Sequence, residues 1–190
     1  MWKRISDWLH RISTAWVALA ALVVFVAFSA VVLPRQAAAA ERYSGEAGSP
    51  DTSFFYLAGD LYRMAEAYGE QGRAAYVRSR FTFDLIFPVV YTLFLSTAIS
   101  WLYRRAFAPG SPWRWANLAP VLGAVFDYLE NASASLVIAR YPARTPVVDA
   151  LAPVFTFTKW IFVGGSFVLL VLGVGVAAGR WIRGRAEWDS

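Results

Sequence analysis

The stretch TAWVALAALVVFVAFSAVVL, residues 14–33, carries no charge over its whole length. As a helix, a run of that length crosses the roughly 30 Å hydrocarbon core of a bilayer. Three further apolar segments follow. FTFDLIFPVVYTLFLSTAISWLY covers 81–103, a third covers 117–139 and a fourth covers 150–179. In lipid the backbone must satisfy its own hydrogen bonds, so all four are expected to be α-helices. The expected fold class is an all-α integral membrane protein, a four-transmembrane-helix bundle forming one domain over residues 1–190.

Composition narrows the chemistry. The chain is 58% hydrophobic and 16% charged, too apolar for an ordinary soluble domain. It has no cysteine, which excludes disulfides, thiol catalysis and cysteine-held metals. The single histidine, His10, excludes a histidine-cluster metal site within one chain. The net charge of +5 is spread as short basic clusters beside the apolar segments, with no basic block. That pattern sets membrane orientation, and no nucleic-acid partner is expected.

The basic residues predict which way the chain inserts. Lys3, Arg4, Arg11, Arg104, Arg105, Arg114, Arg180, Arg183 and Arg185 fall on one side; Asp7, Glu187 and Asp189 are the acids there. Positive residues stay inside, so both termini are expected in the cytoplasm, in a prokaryotic inner membrane. Trp2, Trp8, Trp101, Trp113, Trp115, Trp181 and Trp188 suit the same interface. The basic start and the AAAA at 37–40 also resemble a cleavable secretory signal, but the apolar run is longer than the usual h-region, which favours a retained helix. The N-terminal MWKRISDWLHRIS reads as a basic amphipathic helix on the inner leaflet.

Residues 34–80 form a long outer loop with structure of its own. SPDTS offers capping residues, and Phe54, Leu57, Leu61, Met64, Ala65 and Tyr68 recur at helical spacing. An amphipathic helix is expected here, lying across the bundle mouth and broken at Gly69 and Gly72. The run RAAYVRSRFTFD then leads straight into the second span.

The third span raises the functional question. Asp127, Glu130 and Asn131 stand at i, i+3 and i+4 and share one helical face, which Ser135 extends. Ionisable groups inside a membrane point into the bundle and mark a site or a registry device, because each costs at least about 2.5–3.5 kcal/mol to insert. Asp84 on the second span has Arg80 one turn away and Pro88 and Tyr91 on its face. Pro88 cannot donate to the carbonyl of residue 84, so an acid, a freed carbonyl and a Tyr hydroxyl form a candidate local site. Lys159 on the fourth span shares a face with Thr156 and neighbours Trp160, the one Trp deep in a span. Depth along the helices puts Asp84, Asp127, Glu130 and Lys159 together in the outer half of the bundle. Lys159 offsets one carboxylate and Arg80 another, so Asp127 or Glu130 is left without a cation.

These four are the candidate proton-transfer groups, and Asn131, Tyr91, Ser135, Thr156, Trp160 and Arg80 are candidate ligand contacts. A divalent ion would compete with Lys159, so no metal is expected, and no motif calls for a cofactor. Gly164, Gly165, Gly173, Gly175 and Gly179 read as a close helix-packing surface or a dimer contact. VLPR at 32–35 and FDLIFPVVYTLF at 83–94 look similar to parts of the sterol-isomerase-like EXPERA group, also compact bundles with intramembrane acids. The third span shows no such likeness, and no residue role is carried over.

The reading favoured by these features is an outward-facing polar pocket for an amphiphilic, lipid-like molecule, with acid–base chemistry if the protein is an enzyme. The alternatives are a proton-linked transporter working as an oligomer and an accessory subunit of a membrane complex whose buried charges fix packing. The expected partners are membrane lipids, a lipid-like ligand, and a second copy or a complex subunit.

Overall fold

The apolar segments are expected to be helices, and helices are what the chain forms. The computed structural model describes the backbone of residues 1–186 and the side chains of residues 1–180. The orientation argument from Trp181, Arg183, Arg185, Glu187, Trp188 and Asp189 therefore lies outside the described side chains. The helices are α1 (Trp2–Ile12), α2 (Ala15–Ser44), α3 (Ala58–Arg80), α4 (Phe83–Ala106), α5 (Ala119–Arg140) and α6 (Val148–Ala186). Among the described residues there is no strand. Four helical stretches are long and apolar enough to cross a membrane: Ala15–Ala47, Ala58–Ala106, Pro112–Arg140 and Val148–Arg180.

The span helices differ in what they face. α2 has no buried residue, and Trp16, Val23, Val24 and Val26 project outward. Apolar side chains on that surface suit lipid. α4 is the central helix; α2, α5 and α6 all pack against it, and Leu95, Ile99 and Tyr103 are almost fully enclosed. α5 and α6 form the most extensive helix pair, with Gly123 of α5 admitting Val163 of α6. A Cβ on Gly123 would stand 2.9 Å from that valine methyl.

Polar residues fasten the end that carries the N-terminus. Asn117 is fully buried; its Oδ1 accepts from the Ser6 hydroxyl at 2.9 Å and its Nδ2 donates to Ser100 Oγ at 2.9 Å. Arg104 donates to the carbonyls of His10 and Ser13, which locks α1 against α4. Arg180 of α6 reaches the Arg105 carbonyl at the same end.

At the opposite end α3 lies over α5 and α2, and Tyr56, Leu61, Tyr62, Met64, Ala65 and Tyr68 pack with Val137, Ile138 and Ala152. A helix across the bundle mouth is thus present, with several boundaries corrected. α2 continues through Pro34 to Ser44, because the alanine-rich 37–40 has high helix propensity and nothing in it stops a helix. Phe54 and Leu57 lie before α3 and are exposed. Gly69 does bend α3, at φ 62° and ψ −177°, a conformation essentially reserved for glycine. Gly72 does not; it is where the backbone of α3 meets Tyr43 closely, with a Cβ there placed 3.1 Å from that of Tyr43. A turn at Phe81–Thr82 separates α3 from α4, so the run into the second span is interrupted.

The glycine surface of α6 is also corrected. Gly173 packs on Tyr103, where a Cβ would fall 2.7 Å from a ring carbon. Around Gly164, Gly165, Gly175 and Gly179 a Cβ would meet nothing within 4 Å, so these four form no packing seam within the chain.

Candidate functional site

The stripe on α5 points inward, as its period requires. Asp127, Glu130 and Asn131 are all buried, while Val125, Leu129 and Leu136 on the other face are exposed. Lys159 of α6, 3% exposed, reaches across to the stripe. Its Nζ lies 2.5 Å from Glu130 Oε2 and 3.9 Å from Asp127 Oδ1. Asp127 also accepts from the Tyr91 hydroxyl at 3.1 Å and from Asn131 Nδ2 at 3.3 Å. Tyr91 thus serves Asp127 rather than Asp84. The reason is that Tyr91, though on the face of Asp84, stands seven residues or about 10.5 Å along the axis, level with Asp127 of α5.

Asp84 pairs with Arg80 at 2.6 Å, one turn back across the 81–82 turn. Arg80 is buried and also lies over the Tyr76 ring at 4.7 Å. The two halves are joined by a residue that the sequence reading treats only as a cap. Asp51, on the short turn Pro50–Thr52, contacts Lys159 at 2.9 Å and Arg80 at 3.1 Å. Burial alone would raise its pKa; the adjacent Lys159 ammonium and Arg80 guanidinium outweigh that and hold its carboxyl well below the usual range. The loop around it is anchored by Tyr68 donating to the Gly48 carbonyl and by Tyr56 bonded to Thr156 Oγ1 at 3.0 Å. Burial of Tyr56 raises its phenol pKa above the ordinary value.

Four carboxylates, Asp51, Asp84, Asp127 and Glu130, therefore share two cations, Arg80 and Lys159. Carboxylate oxygens of Asp51, Asp127 and Glu130 fall within 4.8 Å of one another, a spacing compatible with a divalent ion. Lys159 Nζ reaches all three, so the set is already bridged by an ammonium. Glu130 Oε1 has no hydrogen-bond partner despite its burial. Thr156 enters through Tyr56, whereas Ser135 is buried with its hydroxyl unpaired and takes no part in the network.

Beside the network lies a cavity of about 490 Å³, within the range of small-molecule pockets. Asp51, Asp84, Asp127 and Lys159 are its charged lining, and α2, α4 and α6 contribute its walls. Phe87 and Trp160 line it too, and the indole N–H of Trp160 is buried without an acceptor. Phe25 and Phe167 also line it, with Phe25 stacked on Phe94 at 5.0 Å and 6.2 Å from Phe167. The cavity is thus a short amphiphile in negative relief, with acids and rings in its lining.

No protein-family model, curated protein or solved structure matches the chain. Functional argument rests on these residues.

Proposed function

We propose that this is a membrane protein that binds one amphiphilic, lipid-like molecule in the cavity between α2 and α6. Its head would meet Asp84 and Asp127, and its tail would lie along Phe87, Trp160 and Phe167. The observation that carries this reading is the cavity itself, about 490 Å³ beside a buried ionic network. A network whose whole task is to fix helix registry has no use for an aromatic-lined space on its flank. α2 supports the same reading, since a peripheral helix with no buried residue is the element best placed to let a ligand pass from the bilayer. We place the Arg104, Arg105 and Arg114 end in the cytoplasm of a prokaryotic cell, which opens the acids toward the outer side. Acid–base chemistry on a bound molecule would use Asp84 and Asp127, the carboxylates that line the cavity.

Mass spectrometry of small molecules co-purifying with the wild type and with Asp127→Asn tests this. An amphiphile retained by the wild type and lost from a still-folded Asp127→Asn is expected. A wild type that carries none, in several mild detergents, overturns the proposal. Ion flux in proteoliposomes that vanishes with Asp127→Asn would instead support the proton-linked transporter.

A further inference from the structure

Resting on the pocket reading, we infer that the head group taken by this site is cationic, an alkylammonium or amidinium on an apolar body. The first ground is charge. Asp51, Asp84, Asp127 and Glu130 have only Arg80 and Lys159 to answer them, and among the described residues no third cation pairs with the set. Both cations are already held by carboxylates, Lys159 by three and Arg80 by two. Lys159, the one cation among the described residues that lines this cavity, is already engaged by three carboxylates, so an anionic head would add to a surplus of acid. A cationic head, or protons, restores the balance.

The second ground is an open acceptor. Asp84 is only 5% exposed and lines the cavity. Its Oδ2 is buried and ion-paired with Arg80 at 2.6 Å, yet it accepts no aligned hydrogen bond from the described residues. A buried carboxylate that lines a cavity with its hydrogen-bonding capacity unfilled calls for a donor in that cavity. An N–H of an ammonium supplies one with charge assistance. The third ground is the wall. Phe83, Phe87 and Tyr91 form a contiguous aromatic set, Phe87 lying 5.9 Å from Phe83 and 5.6 Å from Tyr91 by ring centroids. All three line the cavity with Asp84. Ring faces next to a carboxylate favour an organic cation, and favour it more in a site shielded from water.

Protons are the rival for the same balance, and the experiment sets the two against each other. The full-length protein in a neutral maltoside detergent at pH 7 is titrated with decylamine, decan-1-ol and decanoate, which share one chain length. Thermal unfolding and native mass spectrometry are the readouts. Saturable binding of one decylamine, at least tenfold tighter than decan-1-ol or decanoate, is expected, with the preference lost in Asp84→Asn. Arg80 remains paired with Asp51 in that variant. Should Asp84→Asn fail to fold, the order of the three ligands on the wild type decides alone. Decan-1-ol binding as tightly as decylamine overturns the cationic head and leaves the amphiphile pocket standing. Decanoate binding best overturns it outright. If none of the three binds, the pocket reading falls with it.

Discussion

Replacing Lys159 by methionine keeps the length of the side chain and removes the only cation that pairs with Glu130 among the described residues. In the wild type Nζ lies 2.5 Å from Glu130, 2.9 Å from Asp51 and 3.9 Å from Asp127. Glu130 is 1% exposed, so water cannot take over from the ammonium. Breaking a buried pair by removing one partner costs about 3–5 kcal/mol. For a chain of this size that corresponds to a fall in Tm of roughly 6–20 °C. The cost arises from stranded carboxylates, so removing one of them as well should return part of it. Lys159→Met/Glu130→Gln should be more stable than the sum of its single changes by about 0.5–3 kcal/mol. The assay is thermal unfolding in mild detergent followed by tryptophan fluorescence, with size-exclusion profiles to confirm the folded state. A Lys159→Met protein that melts with the wild type, or a double variant whose losses simply add, would refute the ionic account of the network.

Four other substitutions test separate parts of the structure. Asp51 has a folded pKa below its unfolded value of about 3.9, so its stabilisation is complete above that value and is lost as pH falls toward the folded pKa. Asp51→Asn should therefore lower Tm at pH 7, and the gap to wild type should narrow below about pH 4; a gap constant with pH contradicts the assignment. Gly173→Ala should destabilise by about 1–3 kcal/mol through the clash with Tyr103, whereas Gly164→Ala, with open space around it, should be neutral or gain up to about 1 kcal/mol of helix propensity. Paired melting curves check both. Asn117→Leu should strand Ser6 and Ser100, cost about 1–3 kcal/mol, and free α1 for limited proteolysis near Ile12; an intact protease pattern speaks against Asn117 as the tie.

The parts of this structure that are legible in the sequence are those imposed by lipid and by helical period. Long apolar runs in lipid must be helices, so the four candidate spans could be read directly. The spacing of Asp127, Glu130 and Asn131 fixed their common face, and a charge inside hydrocarbon needs a partner, which led to Lys159 and Arg80. Helix ends were less legible, because leaving the bilayer does not end a helix, and α2 runs on to Ser44. Ser135 shares the face of Asp127 but lies eight residues on, about 12 Å along the axis, beyond the reach of the network. The α6 glycines look alike in sequence; only the neighbour across from each decides whether it packs, and only Gly173 has one close by. Asp51 carried no local signal at all. Its role depends on a loop folding back between Arg80 and Lys159, which no periodicity encodes.

The most direct test of the central claim is an experimental structure of the wild-type protein in a lipid nanodisc, at a resolution that shows non-protein density. An elongated density between α2 and α6 is predicted, its polar end within hydrogen-bond distance of Asp84 or Asp127 and its other end against Phe167. A structure in which α2 closes onto α6, with Phe87 and Trp160 filling the space and no density between them, would contradict it.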